Sequence, residues 1–372
     1  MAAVAAFGLP NAAAALPDVP LAPTEWQQVV ERTFAARLSG HLAEAVVSGA
    51  FVATPEQAQQ TIGLHRQATW RVLTLERRVL KVAELLEAAD IDIRVLKGPA
   101  LAHTSYSKAS LRTFIDVDVL VPADRFDDAT AALAGAGYTR PLPQLRPGFD
   151  RRFAKTAMFL DSDGLQVDVH RTFVVGPYGL LIQLDDLFAT QKPFAIAGHT
   201  LKALGAEEQF LNICYHAALG DVPPQLGALR DIAQVLLGST LDLERVRRLA
   251  AAWRGTAVLA RAVTLTWETL ALAADHPLAT WARNFVPERA DQRLLACYLS
   301  TNRSNSAKYL ASIRVIPGLA AKLTYLRALL LPDRTFLERR EMAHGAWWHH
   351  GAAALLRRAP QQDGQRVAKG TQ

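Results

Sequence analysis

Residues 115–121, Ile-Asp-Val-Asp-Val-Leu-Val, alternate carboxylates with apolar, mostly β-branched side chains. Successive side chains of a strand point to opposite faces, so Asp116 and Asp118 share one face and Ile115, Val117 and Val119 the other. This segment constrains the whole chain. Its apolar face needs a core, and its acidic face needs solvent or a cation, because two carboxylates so close repel and raise one pKa. Two carboxylates at this spacing suit a divalent hard cation that keeps waters and takes phosphate oxygens as further ligands. An edge strand with a solvated acidic face accounts for the same pattern without metal.

Two neighbours favour the cation. In Gln166-Val-Asp-Val-His170 a third carboxylate, Asp168, alternates with Val167 and Val169 and shares a face with His170. A third carboxylate from a second strand completes a two-metal arrangement for phosphoryl transfer. Upstream, Ile91–Val95 reads as a short buried strand that runs into Lys97-Gly98, with a helix starting at Pro99. Glycine lets backbone approach a phosphate, a helix start aims amides at anions, and Lys97 adds positive charge. Each signal is common alone. The order strand, Lys-Gly, helix, strand, Asp-x-Asp, helix, strand, Asp is much more specific.

With Tyr106 and Arg112 between them, VLKGPAL, IDVDVLV and VDVHR resemble the polymerase-beta-type nucleotidyltransferase superfamily. They are most similar to its bacterial group of uncharacterised nucleotidyltransferases. CYHAAL followed by LGALRDIAQVL is similar to that group's helical segment and places His216 and Asp231 on matching positions. The resemblance covers roughly residues 70–340. It implies that Asp116 and Asp118 bind the metals holding a nucleoside triphosphate, with Mg2+ expected and Mn2+ possible. It also implies that Asp168 binds the catalytic metal and helps deprotonate the acceptor, and that Gly98 faces the phosphates. Pro99 departs from the superfamily's usual Gly-Gly or Gly-Ser, so Lys97 or Arg112 are candidates for the phosphate grip. His170 is a second candidate phosphate donor or a structural hydrogen-bonding residue. His216 is a candidate contact to triphosphate or acceptor, and Asp231 a candidate brace to an arginine.

The expected fold class is α+β: a small mixed-sheet nucleotidyltransferase core flanked by helical regions. Residues 1–23 are rich in Ala and Pro, lack a basic n-region, and are expected as a disordered leader. Helical periodicity and two capping boxes, Thr24/Gln27 and Thr54/Gln57, mark residues 24–90 as a helical subdomain. Residues 91–200 form the α/β core, with a hairpin turn at Asp161-Ser-Asp-Gly164. Helical patterning resumes over 201–350, and 351–372 is a basic tail expected to be disordered.

Composition narrows the class. The 372 residues carry a net charge of +6, and the segment 351–372 accounts for half of that excess, so nucleic acid is not an expected partner. No window is apolar enough to span a membrane, and two cysteines cannot build a disulfide framework, which fits a cytoplasmic protein. Cys214 is expected in the core. Asp161 and Asp163 are explained by the turn without calcium. The Trp347-Trp-His-His350 cluster fits an amphipathic turn docked on the body.

The function these features support is transfer of a nucleoside monophosphate from an NTP, ATP foremost, to an acceptor with release of pyrophosphate. The acceptor, a modified peptide, a small molecule or a protein, is not selected by any residue. The alternatives are a glycosyltransferase, which also uses Asp-x-Asp, and a nucleotide- or partner-binding module without turnover.

Overall fold

The computed structural model describes residues 1–10, 12–273, 276–299 and 305–340. The Trp347–His350 cluster and the basic tail lie outside them. Within them the chain is α+β, with one mixed sheet of six strands in the order β3-β4-β2-β1-β6-β5. The strands are β1 (Arg94–Val95), β2 (Val117–Leu120), β3 (Thr156–Leu160), β4 (Gln166–His170), β5 (Gln191–Ile196) and β6 (His199–Leu204). β2 runs parallel to β4 and antiparallel to β1, β1 runs parallel to β6, and the outer strands are antiparallel hairpin partners.

The sheet's two faces enter different cores. Val117, Val119, Val167 and Val169, all fully buried, pack with α4 (Pro55–Ala88) and α6 (Phe126–Gly135). Those are the odd-numbered positions that alternation assigned to the apolar face. On the opposite face Leu96, Leu120 and Leu204 join a second core with α10 (Ala206–Leu219), α11 (Leu226–Gly238), α12 (Leu243–Ala252) and α13 (Thr256–Leu270). This second face also carries Asp118, Asp168 and His170.

The N-terminal helices divide between these cores. α4 begins with the expected capping box: the Gln57 amide donates to Thr54 Oγ1 (3.3 Å) and the Thr54 amide to Gln57 Oε1 (3.1 Å). It lies behind the sheet. α2 (Pro23–Ala35) and α3 (Ser39–Val47) instead pack among the C-terminal helices. The Thr24 box does not form, because α2 starts one residue earlier, at Pro23 behind Ala22, with no side-chain cap.

Residues 1–10 are not the free leader expected. α1 (Ala2–Ala6) buries Val4, Ala5 and Ala6 in the helical core, and Arg230 donates to the carbonyls of Ala5 (2.8 Å) and Phe7 (2.5 Å). Small side chains let this helix approach its neighbours closely, and a buried arginine satisfies its otherwise unpaired C-terminal carbonyls.

α5 (Gly98–Ser105) follows β1, and α7 (Asp150–Phe153) precedes β3. Beyond β4 lie α8 (Pro177–Leu181) and α9 (Asp186–Ala189), and beyond α13 lie α14 (Pro277–Asn284), α15 (Arg289–Leu299), α16 (Ser306–Val315), α17 (Leu319–Leu330) and α18 (Arg334–Arg339). A third, smaller core joins Phe149 and Phe153 to Tyr325, Phe336 and Leu337.

Candidate active site

β2 and β4 pair in register, Asp118 opposite Asp168 and Leu120 opposite His170. The β3–β4 hairpin fixes that register from the far side, with Met158 opposite Asp168 and Thr156 opposite His170. Its turn is held by Asp161, whose Oδ1 accepts from the amides of Asp163 (2.8 Å) and Leu165 (2.9 Å). Arg78 of α4 clamps both Asp161 and Asp163, so these acids serve the turn.

On the shared face, Asp118, Asp168 and His170 each offer a ligand atom, all within 4.8 Å of one another, and could hold a metal ion. Asp118 is engaged at both oxygens. Lys97 Nζ is 2.8 Å from Oδ2 and His170 Nε2 is 2.7 Å from Oδ1. Burial alone would raise this carboxyl, but Lys97 and His170 outweigh it and hold Asp118 well below the usual carboxylate range. Asp168 differs. Its Oδ2 accepts from Gln166 Nε2 (3.0 Å), while Oδ1 is buried and has no partner. Burial, and then the charge of Asp118, raise its pKa.

The fit of a divalent cation to these residues is chemical. A buried carboxylate oxygen without a donor is costly and calls for a proton or a cation. His170 gives a second sign: Nδ1 faces the Thr172 carbonyl (3.2 Å) while Nε2 faces Asp118, so both nitrogens meet acceptors. That arrangement needs hydrogen on both, or a cation between His170 and Asp118.

Asp116 lies in the bend just before β2, partly exposed, and is not one of the three clustered residues. The strand is shorter than the alternation suggests, starting at Val117. The charge of Asp116 nonetheless acts on Lys97, Lys155 and Asp168.

Lys97 has a positive φ of 42°, rare for a residue other than glycine. That strained backbone sits at the start of α5, beside the carboxylate that Lys97 neutralises. Gly98 has a packing reason: a side chain there would crowd the Phe114 ring, 3.1 Å from the position of its first carbon. Arg112 is committed elsewhere than to phosphate. Its Nε and Nη2 donate to the Asp231 carboxylate (3.0 and 2.8 Å), its Nη1 donates to the Thr113 carbonyl, and Tyr106 Oη donates to Asp231 Oδ1 (2.7 Å). This buried knot ties α11 to the segment leading into β2. Asp231 is thus the arginine brace.

α10 lies toward the carboxylate face. His216 on this helix is close enough to Lys97, Lys155 and Asp118 for their charges to act on its ring; burial, then the two lysines, push its pKa well below the ordinary value. Cys214 is fully buried in the core, as expected.

Sequence reasoning missed Lys155. It sits one residue before β3, its carbonyl accepting from the Arg171 amide (2.8 Å) just past His170. Burial and Lys97 lower its pKa, while Asp118, Asp168 and Asp116 oppose them. Its signal was positional: a lysine at the start of the strand that pairs with β4.

The chain belongs to the family described as "Uncharacterised nucleotidyltransferase", whose profile matches residues 22–271, more than half of its length. Among solved structures it is similar to a crystal structure of ANT(2″)-Ia in complex with adenylyl-2″-tobramycin, at 16% identity and a TM-score of 0.35 over 49% of this chain and 97% of that one. A solution structure of the antibiotic-resistance factor ANT(2″)-Ia matches at 16% and 0.35, over 49% and 92%. A crystal structure of an antigenic nucleotidyltransferase-like protein from Paracoccidioides brasiliensis matches at 16% and 0.30, over the same shares. No curated protein matches. Family membership and the mixed sheet, unlike the doubly wound layout a glycosyltransferase would need, set that alternative aside. No helix among the described residues is long and apolar enough to cross a membrane.

Proposed function

We propose that the enzyme transfers a nucleoside monophosphate from a nucleoside triphosphate, ATP foremost, to a small-molecule or peptide acceptor, releasing pyrophosphate. Asp118 and Asp168 would hold a divalent ion, Mg2+ or Mn2+, with Asp116 at the rim. The observation that carries this reading is Asp168 Oδ1, buried and unpartnered on the face it shares with Asp118. Such an ion supplies charge neutralisation at the phosphate under attack and at the leaving oxygen.

The remaining tasks fall to the chain. Lys97 and Lys155 place two ammonium groups beside the carboxylates, where the charge of a triphosphate is met. Lys97 moving from Asp118 to a phosphate oxygen frees the carboxylate it now occupies. An acceptor hydroxyl or amine attacks the α-phosphorus, the bond to the β-phosphate oxygen breaks, and pyrophosphate leaves toward the lysines. Asp168 takes the acceptor's proton as the carboxylate nearest the attacking group. His216 offers a neutral ring that orients triphosphate or acceptor without adding charge. α10 and the helices packed on it exclude water that would otherwise compete as nucleophile.

The test incubates α-labelled and γ-labelled triphosphates with the protein, cell extract and Mg2+, with EDTA and Asp168→Asn as controls. Label should move from the α position only, with metal present. Equal labelling by Asp168→Asn, or transfer from the γ position, would reject the reading.

A further inference from the structure

Away from the carboxylate face, a groove of 360 Å³ opens between residues 146–152, which run from a loop into α7, and α17. Its lining includes four arginines, Arg146, Arg151, Arg152 and Arg327, and no acidic residue. Among the described residues Arg151 alone of the four has an ion-pair partner, Asp127 at 3.4 Å. Arg146 donates to the Leu331 carbonyl, and Arg152 lies over the Phe153 ring, 5.1 Å from its centroid. Among the described residues Arg152 and Arg327 have no carboxylate within ion-pair distance.

The walls are fixed. Phe149 stacks on Tyr325 with centroids 5.9 Å apart, Phe153 meets the same ring edge-on at 5.1 Å, and the Asp333 amide donates to the Leu145 carbonyl (2.7 Å). Loop and helix therefore hold four like charges around one concavity instead of letting them drift apart into solvent. Guanidinium groups lining one groove repel one another, and an anion lying between them removes that cost. Their planar forks match phosphate oxygens two at a time. The groove has the volume of a small-molecule site, and one loop facing one helix offers no long track for a polymer.

We infer that this groove binds a small oligoanion bearing two or more phosphate groups, at a site separate from the carboxylate cluster. The inference does not depend on the nucleotidyl-transfer reading, because no residue is common to the two sites.

Tripolyphosphate is the probe, titrated calorimetrically into the full-length protein in EDTA at 150 mM salt. Arg152→Glu/Arg327→Glu changes two exposed side chains and should keep the melting temperature while weakening binding at least tenfold. Arg71→Glu, on the exposed side of α4, should stay within twofold of the parent. The inference is overturned by an absence of binding to the parent protein. It is also overturned if Arg71→Glu loses as much as the groove variant, which means diffuse attraction, or if the groove variant binds like the parent, which means binding elsewhere on the molecule. A twelve-nucleotide single-stranded RNA that binds tenfold more tightly than tripolyphosphate and is lost in the groove variant would replace the oligoanion with nucleic acid.

Discussion

Asp118 and Asp168 stand directly opposite one another on parallel strands, yet only Asp118 is neutralised by a cation within ion-pair distance. Asp168 keeps a buried oxygen without a partner. The asymmetry makes the two carboxylates respond oppositely to the same substitution. Asp168→Asn removes an unpaired buried charge and its repulsion with Asp118. Without metal, its melting temperature should rise by about 2 °C, the shift that roughly 1 kcal/mol gives a domain of this size. Transfer should fall by about 10³-fold or more, and Mg2+ should no longer stabilise the protein. Thermal scans with and without Mg2+, beside a transfer assay, check all three.

Asp118→Asn should instead destabilise the fold. It leaves the Lys97 ammonium facing a neutral amide and takes the carboxylate from His170, and breaking one side of a buried pair costs about 3 kcal/mol. Relief of repulsion, the outcome suggested by two acids on one strand face, is outweighed because the structure supplies their countercharge. Denaturant unfolding of the variant in EDTA measures it; a stability equal to or above the parent's rejects the ion pair.

His216→Ala should slow transfer at least tenfold, about 1.4 kcal/mol in the transition state. Steady-state kinetics on both substrates decide the point. Full rate and unchanged KM would make His216 a structural residue of α10.

His41 gives a pH prediction independent of the carboxylates. Its ring is buried, neither nitrogen has a partner, and it meets Tyr106 edge-on at 5.9 Å. Burial, then the charges of Arg230, Arg112 and His65, push its pKa well below 6.5. The unfolded chain takes up this proton near pH 6.5 while the folded protein resists it. The stability tied to a neutral His41 is therefore whole above that pH and lost progressively below it. The melting temperature should drop between pH 7.5 and 5.5, and His41→Leu should shrink the drop. An identical drop in parent and variant rules the ring out as its source.

The sheet positions nearest the chemistry were the most legible. Val117, Asp118, Val119 and Val167, Asp168, Val169 follow a strict two-residue period, and both faces came out as that period requires. The β5–β6 hairpin left no such trace. Lys192 and Pro193 interrupt the first strand, only Thr200 to Ala203 alternate in the second, and the turn is Ala197-Gly198 with both φ angles positive, where Asn-Gly would have announced it. The sheet consequently continues to Leu204, past the boundary at residue 200. Arg112 could not be assigned from local pattern either, because its partner Asp231 is 119 residues away. Nor could α1, whose burial depends on Arg230 in a helix more than two hundred residues downstream.

The Asp161–Gly164 turn carries an arithmetic of its own. Asp168 and His170 reach the lysine-bearing side of the sheet because a fixed number of residues separates them from β3. Removing a single residue from that turn and sliding β4 by one position would aim Val167 and Val169 at the incoming triphosphate and drive Asp168 and His170 among the valines behind the sheet. Two residues more or fewer would return them to the correct side, displaced by one step along Asp118's strand. For this segment odd and even changes in length are different kinds of mutation: one inverts the sheet's chemistry, the other shifts it.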